Sequence, residues 1–194
     1  MALRVVVNGD VTNMDVDAVV NAANEQLAPG GGVCGAIFAA ADDPRLAEDC
    51  RKLAPCPTGS AVATDAYNMQ AKYIIHAVGP IWKDGFHKEE TLLHDAYINA
   101  LKAAKEKGCQ SIAFPLISSG IYGYPREDAM RVAMGAINEY LKDYLMDVFL
   151  VLISNPGVSA DSCVSPGEGN ILRGSGSIPA GCKVRRPAWR SRLL

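Results

Sequence analysis

The sequence has no long hydrophobic run. Its longest apolar stretches, Tyr73 to Val78 and Val148 to Ile153, are far shorter than the ~20 residues that a bilayer-spanning helix needs. A signal peptide is not expected either, because Asn8, Gly9 and Asp10 interrupt any apolar segment near the start. We therefore expect a cytoplasmic protein with no membrane partner.

Cysteine is present six times, but it forms no CxxC pair and no Cys/His cluster with metal-ligand spacing. A chain of 194 residues does not depend on a disulfide framework. The cysteines are therefore interpreted as reduced packing thiols, and neither a metal nor a cofactor is expected. The lack of a G-K-[ST] sequence also excludes a P-loop nucleotide site.

The formal net charge is only −2, but basic residues are concentrated near the end of the chain. From residue 154 onward, six Lys and Arg accompany two acidic residues, which leaves residues 1–153 at −6. Seventeen of those last 41 residues are Gly, Ser or Pro. We predict one domain over 1–153 and a poorly ordered basic tail over 154–194. An acidic domain argues against nucleic-acid binding except through that tail.

Short β-branched runs alternate with Ala- and Leu-rich segments of helical spacing over the first 153 residues, which is typical of an α/β domain. His76 lies in one apolar run and is expected to be a hydrogen-bonded core histidine. Helices are predicted at Val33–Ala41, Thr91–Lys107 and Arg126–Leu145. Strands are predicted at Arg4–Val7, Ala18–Asn21, Ala61–Thr64, Tyr73–Ala77, Ser111–Leu116 and Asp147–Ile153.

A glycine-rich turn follows the second predicted strand. Gly30, Gly31 and Gly32 stand immediately before a helix of small residues. Glycine lets the backbone approach a ligand closely, and a helix start is partially positive, so this turn suits a phosphate or another anion. Gly30, Gly32 and Gly35 also match G-x-G-x-x-G, but a dinucleotide fingerprint follows its strand directly, whereas Asn24 to Pro29 intervene here.

A second glycine loop, Ile117 to Pro125, also joins a predicted strand to a helix. Such loops meet at the carboxyl ends of parallel strands, and two anion cradles suggest a diphosphate. Ile121 and Tyr122 are interpreted as a cover over a sugar or a base. Asp10, just after the first strand, is placed to accept a hydrogen bond from an amine such as adenine N6, or to cap the turn before Thr12.

Four sequence blocks together resemble the macrodomain, an ADP-ribose-binding module. They are Asn8-Gly-Asp-Val-Thr12, Val20-Asn-Ala-Ala-Asn24 with Gly30-Gly-Gly-Val33, Tyr73-Ile-Ile-His-Ala-Val-Gly-Pro80 and Pro115-Leu-Ile-Ser-Ser-Gly-Ile-Tyr-Gly123. The resemblance extends over about residues 3 to 153. It implies a three-layer α/β/α sandwich around a six-stranded mixed sheet, and ADP-ribose or an ADP-ribosylated protein as the partner.

The resemblance also implies a role for each matching residue. Asp10 and the backbone of Val11 would bind the adenine end, and Asn24 would bind the distal ribose. That ribose and its phosphate would lie on Gly31, Gly32 and Val33. The diphosphate would be held by Ser118, Ser119, Gly120, Ile121 and Tyr122.

The sequence departs from the MacroD-type hydrolases of this family, whose glycine run reads G-G-G-V-D-G-x-I-H. Cys34 and Phe38 replace the aspartate proposed to activate water and the histidine. Cys34 could act as a nucleophile or base at the helix start, but a packing role is favoured. Asn24 remains the candidate catalytic residue, as a group that orients water.

Three functions follow as hypotheses. The first is hydrolysis of an ADP-ribose conjugate, either O-acetyl-ADP-ribose or a mono-ADP-ribosylated protein. The second is a reader module that binds ADP-ribose without turnover. The third and most remote is a dinucleotide-dependent oxidoreductase, based on the glycine fingerprint alone.

Overall fold

Short runs rich in Val, Ile and Ala form one mixed sheet in the computed structural model, which describes residues 2–153 and 172–173. Branched and small apolar side chains suit a sheet that is covered on both faces. The main strands are β1 (Leu3–Val7), β2 (Ala18–Ala23), β3 (Ala61–Asp65), β4 (Tyr73–Val78), β5 (Ser111–Pro115) and β6 (Asp147–Leu152).

The strand order is β3-β4-β2-β5-β6-β1. All neighbours are parallel except β3, which pairs antiparallel with β4. In this register Val19 of β2 lies opposite Ile74 of β4 and Ala113 of β5. A two-residue strand, β7 (Leu172–Arg173), pairs parallel with β1 as the outermost strand of the sheet. The carboxyl ends of β1, β2, β4, β5 and β6 therefore lie at one edge of the sheet.

Four helices cover the sheet: α1 (Gly32–Ala41), α2 (Pro44–Leu53), α3 (Glu89–Glu106) and α4 (Arg126–Leu141). Side chains alternate across β2, so Ala18 and Val20 pack in the cluster that contains α3 and α4. Val19 and Ala23 pack on the other face with α1 and α2. The predicted three-layer α/β/α sandwich is confirmed.

The predicted strands and helices lie close to the observed ones, with differences at their ends. Helix α3 begins at Glu89, two residues before the predicted start, and α4 ends at Leu141, four residues before the predicted end. Helix α2 was not predicted. It begins with Pro44 after Asp43, whose carboxylate accepts a hydrogen bond from the Arg45 N–H and caps the helix.

The predicted tail over 154–194 lies outside the described residues, apart from β7. None of the four helices in the described part of the chain combines the length and the apolar character that crossing a bilayer requires.

Candidate functional site

The candidate site lies where five parallel strands end. The segments that follow these strands are residues 8–14 after β1, 24–31 after β2, 79–88 after β4, 116–125 after β5 and Ile153 after β6. In α/β proteins this edge is where ligands bind. Every predicted site residue falls in one of these segments or in the first turn of α1.

The glycine turn packs directly on the start of α1. A Cβ on Gly35 would lie only 2.6 Å from the carbonyl oxygen of Gly30, so the turn can approach the helix only because residue 35 has no side chain. Gly32 begins the helix with a φ of 62°. The first N–H groups of α1 have no intrahelical acceptor, and they form a partially positive end beside the turn.

The loop after β5, residues 116–125, is shaped by internal hydrogen bonds. The backbone N–H of Tyr124 donates to the carbonyl of Ser118 at 3.0 Å, and that of Gly123 donates to Gly120 at 2.9 Å. The buried Tyr97 hydroxyl of α3 accepts from the Ile117 N–H at 3.0 Å and anchors the start of the loop. Hydrogen bonds within the protein therefore fix the shape of this loop.

The glycine turn and the loop after β5 lie against each other. The Ile121 Cδ1 atom is 3.4 Å from the place where a Cβ on Gly31 would be, although 83% of Ile121 is exposed. Burial raises the pKa of the Tyr122 phenol, and the nearby charge of Glu25, which follows Asn24, raises it further. The structure thus places Ile121 and Tyr122 of this loop beside the glycine turn and the segment that leads into it.

The turn Val11–Asn13 joins the same edge. It is a single 3-10 turn that contacts α1, β2 and β5, and Val11 is buried in the core on the α1 side of the sheet. The exposed Asp10 carboxylate caps this turn. It accepts from the N–H and hydroxyl of Thr12 at 2.9 and 2.7 Å and from the Asn13 amide at 2.9 Å. The binding of adenine by Asp10 stays a prediction. It is compatible with this capping role, because a carboxylate can accept further hydrogen bonds.

Asn24 braces the segment that leads into the glycine turn. Its amide nitrogen donates to the Ala28 carbonyl at 2.9 Å, and its amide oxygen accepts from the Ala28 N–H at 3.1 Å. The side chain is therefore held in place at the end of β2. The predicted role of Asn24 in binding ribose or orienting water would be added to this structural role.

A buried polar network lies beneath the turn, and the sequence analysis identified only part of it. The Asn21 amide donates to His76 Nδ1 at 3.1 Å and to Cys34 Sγ at 3.7 Å. Because Nδ1 accepts, Nε2 carries the proton and donates to the Thr64 hydroxyl at 3.0 Å. Cys34 Sγ donates in turn to the Ala28 carbonyl at 3.7 Å.

This network shows what the expected packing role of Cys34 consists of. The thiol is buried and links the core of the sheet to the segment that Asn24 also braces. His76 is the hydrogen-bonded core histidine that the sequence predicted. Asn21 could have been identified from its position in the sequence, because an amide inside a Val- and Ala-rich strand needs a buried hydrogen-bond partner.

We predict that removing the close approach within the glycine turn destabilises the fold. Gly35→Ala forces the turn away from α1, because its Cβ meets backbone rather than a flexible side chain, and should lower the free energy of unfolding by about 1–3 kcal/mol. The matched control is Gly135→Ala in α4, where nothing lies within 4 Å. It should raise stability by roughly 0.5–1 kcal/mol in urea unfolding. A Gly35→Ala protein as stable as wild type would contradict this account of the turn.

We also predict that stability falls when the pH is lowered from 6.5 to 4.5. Burial lowers the pKa of His76 to about 4, against 6.5 for an ordinary histidine. In this window the unfolded chain binds a proton that the folded ring does not, so the free energy of unfolding drops by about 2 kcal/mol. Urea unfolding at several pH values measures this drop. A His76→Gln variant should show a flatter profile, and an equally steep one would contradict the assignment to His76.

Comparisons with known proteins agree with this architecture. The family model described as Macro domain matches residues 20–133. The O-acetyl-ADP-ribose deacetylase of Escherichia fergusonii is 51% identical over 140 residues, which cover 70% of this chain and 78% of the relative.

Solved structures give the same result. A mutant of the Oceanobacillus iheyensis macrodomain with ADPR is 39% identical, with a TM-score of 0.73 over 77% of this chain and 84% of that one. The Trypanosoma brucei macrodomain in complex with ADP-ribose is 34% identical, with a TM-score of 0.71 over 78% and 64%. The chain belongs to the macro domain family.

Proposed function

We propose that this protein binds ADP-ribose and hydrolyses an ADP-ribose conjugate, either O-acetyl-ADP-ribose or a mono-ADP-ribosylated protein. The observation that carries the proposal is the position of Ile121 beside Gly31, which brings the two segments predicted to bind anions next to each other. The names of the relatives support it, since several at about 50% identity are O-acetyl-ADP-ribose deacetylases.

The order of the strands supports one direction for ADP-ribose. Asp10 and Val11 follow β1 and take the adenine end. The diphosphate lies between the loop after β5, at Ser118, Ser119, Gly120, Ile121 and Tyr122, and the start of α1, at Gly31, Gly32 and Val33. Asn24 follows β2 and takes the distal ribose. The partial positive charge at the start of α1 contributes roughly 0.3–1 kcal/mol, and more where it is shielded from water.

The reaction on the ester is a hydrolysis. Water adds to the ester carbonyl, the bond to the ribose oxygen breaks, and the products are free ADP-ribose and a carboxylic acid. The Asn24 amide is held by Ala28 at the end of β2 and orients the water. A phosphate oxygen of the substrate takes the proton from that water and returns it to the ribose oxygen as the bond between that oxygen and the acyl carbon breaks. Cys34 has a structural role, since its thiol is buried and donates a hydrogen bond to the Ala28 carbonyl.

One observation favours the second candidate, a reader that binds without turnover. The Asn24 amide is engaged at both ends by Ala28, and a thiol stands at position 34. Binding is common to both candidates, so only turnover distinguishes them.

We predict that ADP-ribose raises the melting temperature, because a ligand that binds only the folded state stabilises it.

Asp10→Ala should weaken the affinity for ADP-ribose by about tenfold in calorimetric titration, through loss of a hydrogen bond to a charged group. Asp15→Ala, which removes an exposed carboxylate from the same connection, is the matched control and should bind as wild type does. An Asp10→Ala protein of unchanged affinity would contradict the adenine assignment.

Turnover tests the catalytic part of the proposal. With O-acetyl-ADP-ribose or a mono-ADP-ribosylated protein, the wild type should release free ADP-ribose, detected by chromatography. Asn24→Ala should abolish this release, and Cys34→Ala should keep most of it. An inactive Cys34→Ala protein that still binds ADP-ribose would place the thiol in the chemistry. Binding of ADP-ribose by the wild type without release of product would contradict the hydrolase function and support the reader function.

A further inference from the structure

The loop after β4, residues 79–88, is held in a fixed shape by one buried carboxylate. Glu89 Oε1 accepts from the backbone N–H groups of Lys83, Asp84 and Gly85 at 3.2–3.4 Å, and Oε2 accepts from that of His87 at 2.6 Å. Burial alone would raise the Glu89 pKa, but these donors outweigh it and lower the pKa to about 2. The loop is therefore preorganised.

This ordered loop exposes large apolar side chains. Phe86 is 91% exposed and Ile81 is 61% exposed. Single exposed hydrophobic residues are common on proteins, but two on one rigid loop at the edge of a site indicate a contact surface. Since the loop does not have to be ordered on binding, little conformational entropy is lost when a partner covers these side chains.

The same loop is continuous with the candidate site. The backbone N–H of Trp82 donates to the Tyr122 carbonyl at 2.9 Å, and the Trp82 ring packs on Tyr124 with ring centroids 4.6 Å apart. A Cβ on Gly79 would overlap the Ser118 hydroxyl. The loop after β4 and the loop predicted to hold the diphosphate thus form one surface.

The strand order places this loop beyond the proposed distal-ribose end of the ligand. In the order β4-β2-β5-β6-β1, the proposed adenine end lies at β1 and the proposed distal ribose lies at β2. The loop after β4 is the next segment beyond β2. In the proposed orientation, a group attached to the distal ribose would therefore lie next to the loop that carries Ile81 and Phe86.

We propose that loop 79–88 docks the protein that carries the ADP-ribose, through an acidic segment with apolar side chains next to the modified carboxylate. This rests on the proposed function. Exposed Lys83 and Lys88 have no carboxylate partner within the described part of the chain, whereas Asp84 pairs with His87 at 2.8 Å. These two cations suit an acidic segment, and Phe86 and Ile81 suit its apolar side chains.

The test compares two ligands, free ADP-ribose and an acidic, Leu-containing peptide that carries ADP-ribose through a non-hydrolysable linkage. The wild type should bind the conjugate about tenfold more tightly than free ADP-ribose. Phe86→Ser should remove most of that difference, and Lys83→Gln should remove part of it. The matched controls are Leu145→Ser, which alters an 81% exposed side chain before β6 at the opposite edge, and Lys142→Gln. Neither control should change the difference.

The outcomes separate this inference from the function on which it rests. A wild type that does not bind free ADP-ribose would overturn the proposed function and this inference with it. Binding of free ADP-ribose with no gain for the conjugate, or an equal loss for both ligands in Phe86→Ser, would overturn the docking surface alone. So would self-association of the wild type in sedimentation that Phe86→Ser abolishes, since a second copy would then occupy the surface.

Discussion

The close approach of the Gly30 carbonyl to Gly35 is the contact on which the site depends. It brings the glycine turn against the first turn of α1, so that the free N–H groups of the helix start lie beside the turn. A side chain at position 35 would separate the two. Ile121 lies beside Gly31 and brings the loop after β5 next to this unit. Shape and partial positive charge are thus produced by the backbone, with few charged side chains.

The buried polar network supports this unit from the side of the sheet. A neutral His76 costs little in the core because both of its ring nitrogens have partners, in Asn21 and Thr64. Through Asn21 the network extends to the Cys34 thiol, and from there to the Ala28 carbonyl. The segment before the turn is therefore tied to the sheet by side chains as well as by its own backbone. This connection explains how a thiol stands at position 34 without disturbing the turn.

Much of this arrangement could be predicted from the sequence, because strands buried on both faces leave a clear pattern of apolar runs. The two glycine loops could be located because each follows such a run and precedes a helix. Helix α2 was missed because it is rich in charged residues and buries only Leu46 and Cys50. The bonds between Asn24 and Ala28 were missed as well, since they depend on the path of a loop rather than on a residue pattern.

The loop after β4 shows the same limit. Glu89 and Glu90 stand just ahead of the helix predicted to begin at Thr91, at a position where acidic residues are expected. The sequence did not show that Glu89 turns back to accept four backbone N–H groups, because that requires the loop to fold over the helix start. Local charge preference and tertiary structure agree at this position, but only the structure shows that the loop is rigid.

The central claim is that the glycine turn and the loop after β5 hold one diphosphate between them. Amide hydrogen exchange with and without ADP-ribose tests it most directly, because it reports on the backbone N–H groups of both segments. We expect ADP-ribose to slow exchange in Gly31–Val33 and in Ser118–Tyr122 together, while the amides of the distant α4–β6 connection are unchanged. Protection of only one segment, or of neither, would contradict the account.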